Sequence, residues 1–187
     1  MEEDEKQKLL KISEIAVHLD AYDDIFSDFD PRPYSVRALS DDFLAEMQKA
    51  CKVKPSGNLE IKFIIPKKME NGEHESLIKR RLKEFFKKHH ELKHKEIKKA
   101  QRKAVKFIVA GAIISMVGTY IALLDSATQS SKIWNFLIKL LLVLLEPAGW
   151  FFIWDGLSRF VSIREDSKDE LDFYEKMLNS EYHFTTH

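Results

Sequence analysis

Two long apolar stretches, residues 105–124 and 133–154, dominate the hydrophobic pattern of this 187-residue chain. A mostly polar segment, residues 125–132, separates them. A bilayer core about 30 Å thick needs roughly 20 apolar residues in a helix that rises about 1.5 Å per residue. The pattern therefore predicts a two-helix transmembrane hairpin over residues 105–156.

The distribution of Lys and Arg predicts the orientation of this hairpin. Both are dense over residues 87–106 and recur after the second stretch, whereas residues 125–132 contain a single Lys. Because cytoplasmic flanks of membrane helices are enriched in Lys and Arg, we expect both termini in the cytoplasm. We expect the membrane to be the plasma membrane, although the sequence does not distinguish one membrane from another. Anionic lipid head groups are the expected partner of residues 87–106. Nucleic acid is disfavoured because the basic segment adjoins an apolar one.

Shorter patterns predict a small α+β cytoplasmic domain over residues 1–78. Alternation of apolar and polar residues indicates strands at 14–19 and 59–65, with a short helix before the first. An acidic first turn and an apolar face at spacings of three and four indicate a helix over residues 41–52. Only the strand at 59–65 alternates strongly, so another subunit is one possible source of further strands.

A basic helix is predicted to join this domain to the membrane, with residues 79–104 as a juxtamembrane stalk. After the hairpin, residues 157–187 are predicted to form a cytoplasmic helix and tail, because Ser167 and Glu170 have the spacing of a capping box. The predicted fold class is thus α+β: a cytoplasmic domain, a basic helical stalk, a transmembrane hairpin and a short amphipathic C-terminal helix.

Composition agrees with a protein that occupies two solvents. The 44% hydrophobic and 32% charged residues and the net charge of +0 average an apolar part with a charged part. A single cysteine, Cys51, permits no internal disulfide and fits a reducing cytosol. The charged N-terminus lacks the apolar core of a signal peptide, so we expect none.

Small residues in the first apolar stretch predict a helix-packing face. Their spacings of four, three and four place them on one side of the helix: Gly111, Ser115, Gly118 and Ala122. Small side chains let two helix backbones approach closely in a membrane. We expect packing of this kind to support self-association of the hairpin, and therefore a homo-oligomer.

Glu146, in the second apolar stretch, is the strongest candidate for a polar membrane site. A charge at the centre of a membrane helix costs about 2.5–3.5 kcal/mol. In an antiparallel hairpin Glu146 should face Ser115 and Thr119, where a protonated carboxyl would form an interhelical hydrogen bond. Pro147 is expected to kink or locally unwind the helix at this point.

Two interpretations of Glu146 remain open. It is either a functional group that responds to a proton, a cation or a packing change, or a structural link between the helices. In the second interpretation, Trp150 and Trp154 anchor the membrane interface as an aromatic belt. A conducting path would need several copies of the chain, because two helices cannot enclose a pore.

Aspartates are dense in the loop before residue 41, and carboxylates are the ligands that hard cations prefer. Five of them are weak metal-ligand candidates: Asp20, Asp23, Asp24, Asp28 and Asp30. Their spacing matches no EF-hand, and Asp is also a common turn residue. His90 and His94 have the spacing of helical zinc ligands, but no third ligand is evident.

The same loop contains a candidate recognition segment for a protein partner or a nucleotide: Asp30, Arg32, Tyr34 and Arg37. Alternatively, Phe26, Phe29 and Tyr34 pack into the domain core while the arginines pair with aspartates. No catalytic motif and no cofactor site is evident, so an enzyme is not favoured. The leading hypothesis is a membrane-anchored interaction or signalling module that self-associates. An oligomeric channel with Glu146 in its path and a metal-dependent enzyme that uses the aspartates are the alternatives.

Overall fold

The computed structural model describes residues 14–53, 59–125 and 131–186. The chain divides into two compact units, of which the first comprises Met1–Lys93 and Asp169–His187 and the second His94–Lys168. Most described residues are helical, and the first unit also contains a small sheet. The helix expected before the first strand lies outside the described residues.

Three parallel strands form the sheet: β1 (Glu14–His18), β2 (Glu60–Ile65) and β3 (Glu181–Thr186), in the order β1-β2-β3. The α-helices, numbered in chain order, are α1 (Asp41–Val53) and two much longer helices, α2 (Gly72–Asp125) and α3 (Lys132–Asn179). Short 3-10 turns occur at Tyr22–Ile25 and Lys67–Met69. The strands predicted at 14–19 and 59–65 and the helix predicted at 41–52 are confirmed.

Alternation along β2 explains where the core of the first unit lies. Ile61, Phe63 and Ile65 are fully buried, whereas the residues between them are partly exposed. Helical residues spaced by three or four cover the buried face: Phe43, Met47 and Cys51 from α1, Ile78, Leu82 and Phe86 from α2, and Phe173 and Met177 from α3. The first unit is therefore a layer of helices on one face of a parallel sheet.

The C-terminal residues form a strand, so the prediction of a helix followed by a tail is wrong at this point. In the register of β2 and β3, Ile61 pairs with Tyr182 and Phe63 with Phe184. The Tyr182 hydroxyl donates a hydrogen bond to the Met177 carbonyl at 2.6 Å. The third strand of the sheet comes from the chain itself.

The helix expected to begin near Ser167 is the end of α3, which runs unbroken from the second apolar stretch to Asn179. Residues 157–179 contain neither Pro nor Gly, so nothing in them interrupts a helix. The chain is also helical through Pro147, and the unwinding expected there does not occur. Proline removes one backbone donor, and membrane helices tolerate this loss where neighbouring groups satisfy the backbone.

Both apolar stretches lie in helices that are long and apolar enough to cross a membrane. Only 6% of the most apolar segment of each helix is buried. A core helix of a soluble protein would be mostly buried. The outward-facing apolar surface therefore supports association with a membrane.

Candidate functional site

A cavity of about 490 Å³ lies between the two helices of the second unit. Residues of both helices line it: Ser115, Gly118, Thr119, Ala122, Leu142, Glu146 and Trp150. The structure thus brings together the acid, hydroxyl and small residues that the sequence singled out. Leu142 and Trp150, which belong to α3, complete the lining.

The hydrogen bond predicted between the two helices at this cavity does not form. The Thr119 hydroxyl donates to the Ser115 carbonyl of its own helix at 2.9 Å, a common way for a helical Thr to be satisfied. Within the part of the chain that the structure describes, Glu146 makes no hydrogen bond or ion pair, and its side chain is exposed. The expected interhelical hydrogen bond is therefore absent, and Glu146 lines the cavity with an exposed side chain.

Glycines hold the two helices in close contact beside this cavity. A Cβ added at Gly111 would lie 2.6 Å from the Gly149 carbonyl oxygen and 2.8 Å from the Ile153 nitrogen. A Cβ at Gly156 would lie 2.8 Å from the Ala104 carbonyl oxygen. Partner numbers fall along α3 as they rise along α2, so the helices pack antiparallel.

Only part of the predicted packing face of α2 is in close contact with α3. Gly111 and Ser115 contact α3, but a Cβ at Gly118 would meet only Leu145 at 3.6 Å, and Ala122 is exposed at the cavity. The predicted packing face did not include Gly149 and Gly156, whose spacing of seven residues places them on one helix face. Since the closest contacts lie within one chain, a second copy would have to bind elsewhere.

Cationic side chains cover one face of α2 within the second unit. Six of them line a groove of about 440 Å³: Lys95, Lys98, Lys99, Arg102, Lys103 and Lys106. Farther along the same face the exposed side chains are apolar, beginning with Val109 and continuing with Ile113 and Met116. One helix face thus changes from cationic to apolar within about one turn.

Contacts within the loop of the first unit occupy several of the predicted metal ligands. Asp24 accepts hydrogen bonds from the Asp20 and Ala21 amides at 2.7 and 3.0 Å, and Asp23 pairs with Arg37. Across the described ranges, no group of three or more His, Cys, Asp or Glu residues is placed to hold a metal ion. These contacts give the aspartates a structural role in the loop.

The predicted recognition segment is fixed by ion pairs and aromatic packing. Arg32 donates to both carboxylate oxygens of Asp30 at 2.8 Å, and these bonds, with the Ala38 amide, hold the pKa of Asp30 below its usual range. Phe26 is buried and its ring stacks on Tyr34 with centroids 5.1 Å apart. Phe29 does not enter the core, since 98% of it is exposed.

Cys51 lies in the core of the first unit, and burial raises the pKa of its thiol to about 11. We predict slow alkylation of the native protein, because the reactive thiolate is scarce and shielded. The raised pKa also makes stability depend on pH. Between about pH 9 and 11 the thiol ionises in the unfolded chain but not in the folded one, so the free energy of unfolding falls as the pH rises. Thiol-reagent kinetics at pH 8, with a urea-unfolded control, measure this protection. Equal rates for the native and unfolded protein would contradict it.

Comparison with known proteins finds no matching family model, no matching curated protein and no matching solved structure. The assignment of function therefore rests on the residues and geometry described above.

Proposed function

We propose that this is an integral membrane protein whose two apolar segments cross the plasma membrane as a hairpin, with the first unit and both termini in the cytoplasm. The exposed apolar surface of both helices supports the crossing. The change from Lys106 to Val109 along one helix face supports a head-group boundary at that level, since cations favour anionic head groups and apolar side chains favour hydrocarbon. Trp154 is 67% exposed on α3, as in an aromatic belt.

Within this membrane arrangement, the protein acts as an interaction or signalling module that self-associates. The cavity beside Glu146 is the observation that supports this function. An acid at the bilayer centre is costly, and such groups generally face a bundle interior or a partner. A second copy of the chain that covers the cavity would shield Glu146 from lipid and supply polar groups to it.

Cysteine cross-linking in native membranes tests this contact. We expect Ala122→Cys, introduced into a Cys51→Ala background that folds, to give a cross-linked dimer with a short bismaleimide. Ala122 lines the cavity, whereas Val143 is exposed on α3 outside it, so Val143→Cys is the matched control. Equal cross-linking at the two positions, or none at Ala122, would contradict a contact through the cavity.

An oligomeric channel is the second candidate, and the presence of an acid in an open cavity of this size favours it. This candidate predicts that Glu146→Gln abolishes cation flux into proteoliposomes while the cross-linked dimer still forms. Absence of flux for the parent protein would eliminate the channel and leave the interaction module unaffected.

A further inference from the structure

A second cavity, of about 330 Å³, lies in the first unit, where the loop before α1 meets the first turns of α2. Seven residues line it: Arg32, Pro33, Tyr34, Ser35, Arg37, His74 and Leu77. We propose that this groove binds a nucleoside monophosphate, that is, a phosphate monoester that a sugar links to a planar ring. Ligand binding here is independent of the self-association proposed above, and either can fail alone.

Two arginines line the groove, and each is paired with an aspartate, Arg32 with Asp30 and Arg37 with Asp23. The Arg32 side chain is 60% exposed, and Asp30 engages it through Nε and Nη2. Since a guanidinium has five N–H donors, Arg32 retains donors for a ligand. The Arg37 side chain is 14% exposed. Its Nε and Nη2 donate to the Ser27 carbonyl at 3.1 and 3.0 Å, and its Nη1 donates to Asp23, so Arg37 mainly shapes the groove beside Arg32. Planar guanidinium groups match the oxygens of a phosphate.

Aromatic and apolar side chains supply a surface for the ring. Tyr34 stacks on the buried Phe26, and the centroid of the His74 ring lies 5.3 Å from that of Tyr34 in an edge-on arrangement. Pro33 and Leu77 add apolar lining. The volume lies at the lower end of the range of about 300–1,000 Å³ for small-molecule sites, which suits a mononucleotide better than a dinucleotide.

Backbone and side-chain hydrogen bonds hold the groove in shape without a ligand. The Ser27 amide donates to the Ala38 carbonyl at 2.9 Å, and the Arg37 amide to the Pro33 carbonyl at 3.0 Å. Arg81 of α2 donates from Nε to the Arg37 carbonyl at 3.0 Å, which ties the loop to the helix. A preformed site loses little conformational entropy when it binds a ligand.

Calorimetric titration of the full-length protein in zwitterionic nanodiscs tests the proposal, with AMP, adenosine and inorganic phosphate as probes. We expect saturable binding of AMP, and binding at least tenfold weaker for adenosine and for phosphate. Arg32→Ala should weaken AMP binding at least tenfold. Arg80→Ala is the matched control, because Arg80 is exposed on α2, pairs with Glu84 and lies outside the groove.

Leu77→Trp is a second variant, which fills the groove and leaves the ion pairs intact, so the test holds even if Arg32→Ala disturbs the loop. We expect it to abolish AMP binding. No AMP binding at millimolar concentration would overturn the proposal. The proposal would also be overturned if Leu77→Trp still bound AMP while Lys98→Ala did not. That result would place the phosphate on the basic face of α2.

Discussion

Replacing Gly111 with alanine is expected to destabilise the packing of the two apolar helices, because the added methyl would meet backbone atoms of Gly149 and Ile153 at 2.6 and 2.8 Å. Backbone atoms cannot move aside as the end of a flexible side chain can. Overpacking of this kind costs about 1–3 kcal/mol or more. This loss exceeds the gain of up to about 1 kcal/mol from the higher helix propensity of alanine.

Gly118→Ala is the matched control, on the same helix and with the same chemical change. Its methyl would meet only Leu145 Cβ at an ordinary distance of 3.6 Å, so we expect stability to be unchanged or slightly increased. Unfolding in mixed micelles with increasing SDS, followed by far-UV circular dichroism, compares the variants. Equal midpoints for the two variants would show that the helices do not pack through Gly111.

Tyr182→Ala is expected to unfold the first unit or to lower its stability severely. The side chain is 5% exposed, lies against Phe63 with ring centroids 6.2 Å apart, and donates a hydrogen bond to Met177. Truncation of a buried aromatic residue costs about 3–5 kcal/mol. A small domain has a total stability of only about 5–15 kcal/mol, so this substitution would remove a large share of it.

His183→Ala tests whether the loss arises from burial of the Tyr182 side chain or from any substitution in β3. His183 is the next residue and points to the opposite, exposed face of the sheet, so we expect less than about 1 kcal/mol of change there. Thermal unfolding of the full chain, together with limited proteolysis, measures both variants. Similar losses for Tyr182→Ala and His183→Ala would contradict the alternation that places Tyr182 in the core.

The sequence predicted those elements whose periodicity is strong and local. Alternation in β2 and the three- and four-residue spacing in α1 were sufficient to predict a strand and a helix, because each pattern arises from one buried face of a single element. The prediction that Glu146 lies near Ser115 and Thr119 came from counting the same number of residues from the cytoplasmic end of each of two antiparallel helices. This estimate needed only the constant rise of a helix.

Other features depend on contacts that are distant in sequence or on single atoms. β3 is only six residues long, and its partner β2 lies more than a hundred residues earlier, so its aromatic alternation carried little weight alone. The packing role of Gly149 and Gly156 depends on the α2 atoms that lie opposite them, which the local sequence does not reveal. Thr119 donates to the Ser115 carbonyl of its own helix, and Phe29 is exposed; the residue type alone predicts neither outcome.

The mass of the full-length protein in lipid nanodiscs is the most direct test of the central claim that the Glu146 cavity is a contact between copies in a membrane. We expect the parent protein to form a defined oligomer, and Ala122→Trp, which fills the cavity, to be a monomer. Val143→Trp, outside the cavity, should keep the mass of the parent. A parent protein that is monomeric at every lipid ratio, or an Ala122→Trp variant with unchanged mass, would contradict the claim.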